Sequence, residues 1–101
     1  MTNLFWIEEV LPPHDLESHK HIKKATPWQK WSTGEHINSR YGFRKLIEDR
    51  SVDILQPDLT LVGLTETLRI AAMASAYDMI VIPHCSGVYA YNFGITYTIT
   101  P

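Results

Sequence analysis

Four short apolar runs recur along this chain, and each breaks off at a polar residue of a chemically useful kind. Phe5-Trp6-Ile7 ends at Glu8, and Trp31-Ser32-Thr33 leads through Gly34 to Glu35. Val52-Asp53-Ile54-Leu55 leads through Gln56-Pro57 to Asp58, and Met79-Ile80-Val81-Ile82 through Pro83 to His84. Runs this short, bounded by proline, glycine or charge, read as buried strands. The intervals between the four polar residues are 27, 23 and 26 positions, enough for one strand, one helix and their turns. Helical patterns fill the gaps: His14 to Ala25, with Asp15 near its start and Leu16 and Ile22 on one side; Tyr41 to Asp49, carrying Phe43, Leu46 and Ile47; and Leu64 to Tyr77, with Leu64, Leu68, Ala71, Ala72 and Ser75 near helical spacing. Val88 to about Thr96 is expected to be a fourth helix. The order β-α-β-α-β-α-β-α predicts an α/β fold with parallel strands. The uniformly apolar fourth run is expected to be buried on both faces.

In parallel βα folds the carboxyl ends of the strands form the functional face. Glu8 and Glu35 fall on neighbouring strand ends, and neighbouring strands lie about 4.8 Å apart, so two carboxylates can reach one cation. Oxygen-only ligation suits a hard ion such as Mg²⁺. Asp58 and His84 occupy the next two ends. An aspartate there can take one imidazole nitrogen and leave the other as a base. Each residue taken singly has a plainer reading: a solvated loop glutamate, a helix cap at Asp58, a packed histidine at His84. On the pattern alone neither reading outweighs the other; the case for a site is that all four fall in register.

Other candidates are weaker. His19 and His21 stand two apart, which turns them away from each other on a helix. Cys85 beside His84 reads as a small buried thiol, and Trp28, Trp31 and the tyrosines as packing. The lone Gly63 is no phosphate loop. The basic stretch Lys20 to Lys24 reads as a solvated helix face. A formal net charge of −2 leaves no footprint for nucleic acid, and 45% hydrophobic residues argue against disorder. The single cysteine excludes an intramolecular disulfide framework, which makes a reducing, cytoplasmic setting the expectation. No apolar run approaches the roughly 18 residues of a membrane span, and the first residues lack the pattern of a signal peptide.

Taken in order, Trp6-Ile7-Glu8-Glu9 with Leu11-Pro12-Pro13, Thr33-Gly34-Glu35-His36, Gln56-Pro57-Asp58, and Pro83-His84 with Ser86, Val88 and Tyr89 resemble the mandelate racemase branch of the enolase superfamily. Within it the likeness is to the acid-sugar dehydratases, L-rhamnonate dehydratases among them, and it runs from about Asn3 to Pro101. The resemblance implies that residues 1–101 are one partial C-terminal barrel domain, strands four to seven of a (β/α)₈ TIM-type barrel. It makes Glu8 and Glu35 the second and third ligands of a Mg²⁺ ion, His84 and Asp58 the catalytic dyad, and His36 a residue beside the substrate. The implied reaction removes the proton α to the carboxylate of a sugar acid and expels the neighbouring hydroxyl as water, giving a 2-keto-3-deoxy acid.

The resemblance also carries departures. The first metal-ligand aspartate, strands one to three and the capping domain have no counterpart here. One residue is missing between Glu8 and Glu35, and another near Gly63, where the family has paired glycines; Cys85 stands where a glycine commonly follows the base. The expectation is therefore a segment inactive by itself that self-associates through open sheet edges and the inward faces of Ile7, Trp31, Ile54 and Ile82. The competing readings are a non-enzymatic half-barrel interaction module and a racemase or epimerase fragment.

Overall fold

The computed structural model describes residues 6–85, so the helix expected from Val88 and residues such as Phe5 lie outside the described residues. Four strands, β1 (Ile7–Glu8), β2 (Trp31–Thr33), β3 (Ile54–Leu55) and β4 (Ile80–Val81), alternate with three helices, α1 (Leu16–Ala25), α2 (Arg40–Glu48) and α3 (Leu59–Ser75). The strands make one sheet in chain order, and every neighbouring pair is parallel. Ile7 is in register with Trp31, Ser32 with Ile54, and Ile54 with Ile80. One further parallel bridge joins Asp58 to His84 beyond β3 and β4. Among the described residues no helix is long and apolar enough to cross a membrane.

Local chemistry explains the helix starts. Asp15 caps α1 by accepting from the Ser18 amide at 3.1 Å. Asp58 caps α3, accepting from the amides of Thr60 and Leu61 at 2.7 and 3.0 Å. That cap starts α3 five residues earlier than hydrophobic spacing predicts, with a kink at Gly63 (φ 81°, ψ 165°). Such a backbone is essentially confined to glycine. The Thr67 hydroxyl donates to the Gly63 carbonyl at 2.8 Å.

The helix-side core contains Trp31, Phe43, Leu46, Ile47, Val52, Leu55, Ile70, Ala74, Met79 and Val81. Phe43, Leu46, Leu55 and Ile70 are fully buried, each worth about 1.5–3 kcal/mol relative to exposure. Trp31 belongs to this core and Ile7 packs against it. This corrects the expectation that both present an inward apolar face. Residues alternate across a strand, and the registered row through Ser32, Ile54 and Ile80 takes the opposite face.

Other expectations are corrected as well. The fourth apolar run is not buried throughout, because Ile80 and Ile82 are half-buried while Met79 and Val81 are buried. α3 turns Thr67, Ile70, Ala71 and Ala74 inward and leaves Leu61, Leu64 and Leu68 exposed. Glu66 lies between, bonded to the amide and guanidinium of Arg40 at 2.8 and 2.9 Å, which fixes that flank against α2. Trp31 packs as expected, whereas Trp28 and Tyr41 are exposed. The basic stretch of α1 is only partly solvated. The Lys23 ammonium donates to the carbonyls of Arg50 and Val52 at 2.8 and 3.3 Å and pairs with Asp53 at 3.4 Å. Cys85 is half-buried.

Candidate active site

Parallel strands in chain order bring the carboxyl ends of β1 to β4 to one edge, with Glu8, Glu35, Asp58 and His84 spread along it. The Asp58–His84 bridge is built by the backbone: the Leu59 amide donates to the His84 carbonyl at 3.0 Å, and the His84 amide to the Pro57 carbonyl at 2.9 Å. The side chains then meet, with Nδ1 of His84 in a short hydrogen bond to Oδ2 of Asp58. Nε2 of the same ring lies 2.7 Å from Oε2 of Glu35. Three of the four expected residues are thus in direct contact.

Glu8 stands in its own network. Its Oε1 accepts from Gln56 Nε2 at 3.0 Å and from Trp6 Nε1 at 2.9 Å. Gln56 in turn accepts from the Ser32 hydroxyl at 2.8 Å. Gln56 and Ser32 are buried, and they tie the ends of β1, β2 and β3 together on the face opposite the helices. Sequence reasoning passed over both residues as site residues. The alternation that puts Ile54 on that face carries on to Gln56 and is the signal that identifies it.

His36 follows Glu35 at the edge of this row. Its Nδ1 is 2.5 Å from Oε1 of Glu9, and it borders an open cleft of about 440 Å³ that is also lined by Pro13, His14, Leu16, Ile37 and Gly42. Two larger hollows, about 760 and 530 Å³, run along α1 among its lysines, remote from the row of acids and imidazole. Among the described residues, Glu9, Glu35 and His36 bring one donor atom each within 4.8 Å of one another. Glu9 was not among the expected site residues.

The electrostatics follow from these contacts. Hydrogen bonds from Gln56 and then Trp6 hold the Glu8 carboxyl below its ordinary pKa. Glu35 is pushed above its ordinary value, first by its hydrogen bond with Glu9 and then by burial. Burial acts to raise Asp58, but the bonds from His84 and the Leu61 and Thr60 amides outweigh it and leave the carboxyl lowered. Burial disfavours protonated His84, yet the bond to Asp58 and the charges of Glu35, Asp58 and Glu8 raise its pKa. For a cation the donor chemistry fits a hard ion: Glu8 and Glu35 offer carboxylate oxygens from adjacent strand ends.

A parallel sheet in chain order, with helices between its strands, is the arrangement of part of a βα barrel. The chain belongs to the Enolase C-terminal domain-like family, which it matches over residues 1–100. It is 43% identical over 96 residues to an L-rhamnonate dehydratase of Saccharopolyspora erythraea, covering 93% of this chain and 25% of the relative. It superposes on the crystal structure of rhamnonate dehydratase from Gibberella zeae complexed with Mg with a TM-score of 0.80 and 54% identity, over 94% of this chain and 24% of that one. L-Talarate dehydratase from Polaromonas sp. JS666, complexed with Mg and L-glucarate, gives a TM-score of 0.76 at 34% identity, over 82% and 23%. The chain therefore spans about a quarter of the length of these relatives. The motif resemblance and the partial-barrel architecture both agree with these matches.

Proposed function

We propose that this chain is the strand-four to strand-seven segment of a Mg²⁺-dependent acid-sugar dehydratase acting on L-rhamnonate or a similar acid, in cytoplasmic sugar-acid catabolism. The observation that carries the reading is the His84 ring, held at Nδ1 by Asp58 and facing Glu35 with Nε2. Asp58 holds the proton on Nδ1, and Nε2, which faces Glu35 in this structure, is the nitrogen that would exchange a proton with substrate.

Glu8 and Glu35 would hold the metal, with a third carboxylate from elsewhere in the barrel. Bound Mg²⁺ supplies positive charge against the substrate carboxylate, where negative charge builds when the α proton leaves, a pattern general to enolase-superfamily sites. His84 takes that proton, and the electron pair of the C–H bond passes into the carboxylate. That electron pair then returns to expel the hydroxyl on the next carbon, which takes up the proton held by His84 and leaves as water, and the enol that remains ketonises to the 2-keto-3-deoxy acid. Gln56 and Ser32 keep the Glu8 carboxylate in place, and His36 borders the substrate.

The test is a chimaera in which this segment replaces its counterpart in the S. erythraea dehydratase, assayed for 2-keto-3-deoxy acid formation from L-rhamnonate. Turnover abolished by His84→Asn supports the reading; turnover that survives the substitution refutes it. The 101-residue chain by itself is expected to show none, because two carboxylates leave Mg²⁺ incompletely coordinated and stabilisation of developing charge is usually the largest catalytic effect.

A further inference from the structure

The two glutamates in succession at the end of β1 do different things, and the second has no part in the reaction as described so far. Glu9 has a backbone φ of +43°, a left-handed conformation that non-glycine residues adopt infrequently. It is nevertheless pinned there, because its amide donates to the Ser32 carbonyl at 2.8 Å. A residue held in an unfavourable backbone state by its neighbours invites the question of what its side chain gains. Here the side chain, only 18% exposed, crosses to the next βα loop and meets Nδ1 of the largely exposed His36 at 2.5 Å. Regular strand geometry would send Glu9 to the face opposite Glu8; the left-handed turn lets both residues serve the same end of the sheet.

An ionised carboxylate can only accept, and the Nδ1 that meets it then carries the proton. Nε2 is then the nitrogen of His36 left for a ligand. Resting on the dehydratase reading, we infer that Glu9 is a positioning residue: it fixes the rotamer and the Nδ1–H tautomer of His36, so that Nε2 meets a hydroxyl of the sugar acid.

The inference is tested first on the ¹⁵N-labelled 101-residue chain, by long-range ¹H–¹⁵N correlation of the His36 ring, recorded across a pH series and read where the spectra themselves show the neutral ring. The wild type is expected to show the Nδ1–H form. Glu9→Gln, whose amide oxygen still accepts, keeps that form, and Glu9→Ala shifts His36 towards Nε2–H. Backbone amide spectra confirm the fold, with exposed Glu17→Ala as the control. An unchanged tautomer in Glu9→Ala, or equal disruption by Glu9→Gln, overturns the inference.

The second readout is kinetic, in the chimaera. Glu9→Ala is expected to raise KM for L-rhamnonate about tenfold with a smaller fall in kcat, and Glu9→Gln to restore most of the loss. An unchanged KM overturns the positioning role even where the tautomer shifts. Failure of the dehydratase reading looks different: product formation no longer depends on His84, while the tautomer pattern of His36 persists.

Discussion

Asp58 divides its two carboxylate oxygens between a helix and His84. Oδ1 accepts from the amides of Thr60 and Leu61 at the start of α3, and Oδ2 accepts from Nδ1 of His84. Helix cap and histidine partner, which look like rival readings of one residue, are both true of this aspartate. The cap orients the carboxyl, and the backbone bridge between the two residues brings the imidazole to it.

That division predicts a split between stability and activity. Asn caps helices about as well as Asp, so Asp58→Asn should leave Tm nearly unchanged while losing the charge-assisted bond to His84. In the chimaera its turnover should fall by about 10²–10⁴, the usual weight of acid–base assistance. Asp58→Ala should lose the cap as well and cost a further 0.5–2 kcal/mol or so in denaturant unfolding.

Two glycines should respond differently to alanine. At Gly34 (φ +135°) a Cβ would lie 2.6 Å from Cε1 of fully buried Phe43 and 3.0 Å from the Gln56 amide nitrogen. Gly34→Ala is expected to cost at least about 2 kcal/mol and, because Glu35 follows directly, to remove activity in the chimaera. At Gly63 a Cβ meets nothing within 4 Å. The cost there is backbone strain alone, about 1–3 kcal/mol, with turnover retained. Equilibrium unfolding and the product assay on both variants check the contrast.

Acid should act partly through Glu66. The Arg40 amide, followed by the Arg40 charge, holds this carboxyl below its ordinary value of 4.5. A lowered carboxylate pKa contributes stability that is present above the unfolded-state value and lost as pH falls through the folded one. Tm measured stepwise below about pH 5 should therefore fall more steeply in the wild type than in Glu66→Gln, with the two curves running parallel at neutral pH.

Metal retention should depend on both strand-end carboxylates. In the chimaera, Glu8→Gln or Glu35→Gln is expected to raise the Mg²⁺ concentration for half-maximal activity by at least about tenfold, since a neutral amide replaces a charged hard-oxygen ligand. A titration with Mg²⁺ after chelation measures it. Gln56→Leu, which removes a hydrogen bond to Glu8, should weaken Mg²⁺ by a smaller factor.

Much of this molecule is legible in one dimension. Apolar runs closed by polar residues, with helical spacing between them, determine an α/β chain of parallel strands, because a buried sheet and its covering helices each impose a period on the sequence. The same alternation marks Glu8, Glu35, Asp58 and His84 as strand-end residues. What it leaves open is which way each side chain turns. Trp31 and Ile7 join the helix-side core, Leu64 and Leu68 stay exposed, and Lys23 bends back to carbonyls of another loop. Those outcomes depend on register and on the rotation of whole helices, set by contacts between residues far apart in the chain. Glu9 is the sharpest case. Its sequence neighbour Glu8 bonds Gln56 on β1's inner side, while a positive φ and an amide bond to Ser32 send Glu9 to His36. Local propensity disfavours that turn, and the paired strand beside it holds the turn in place.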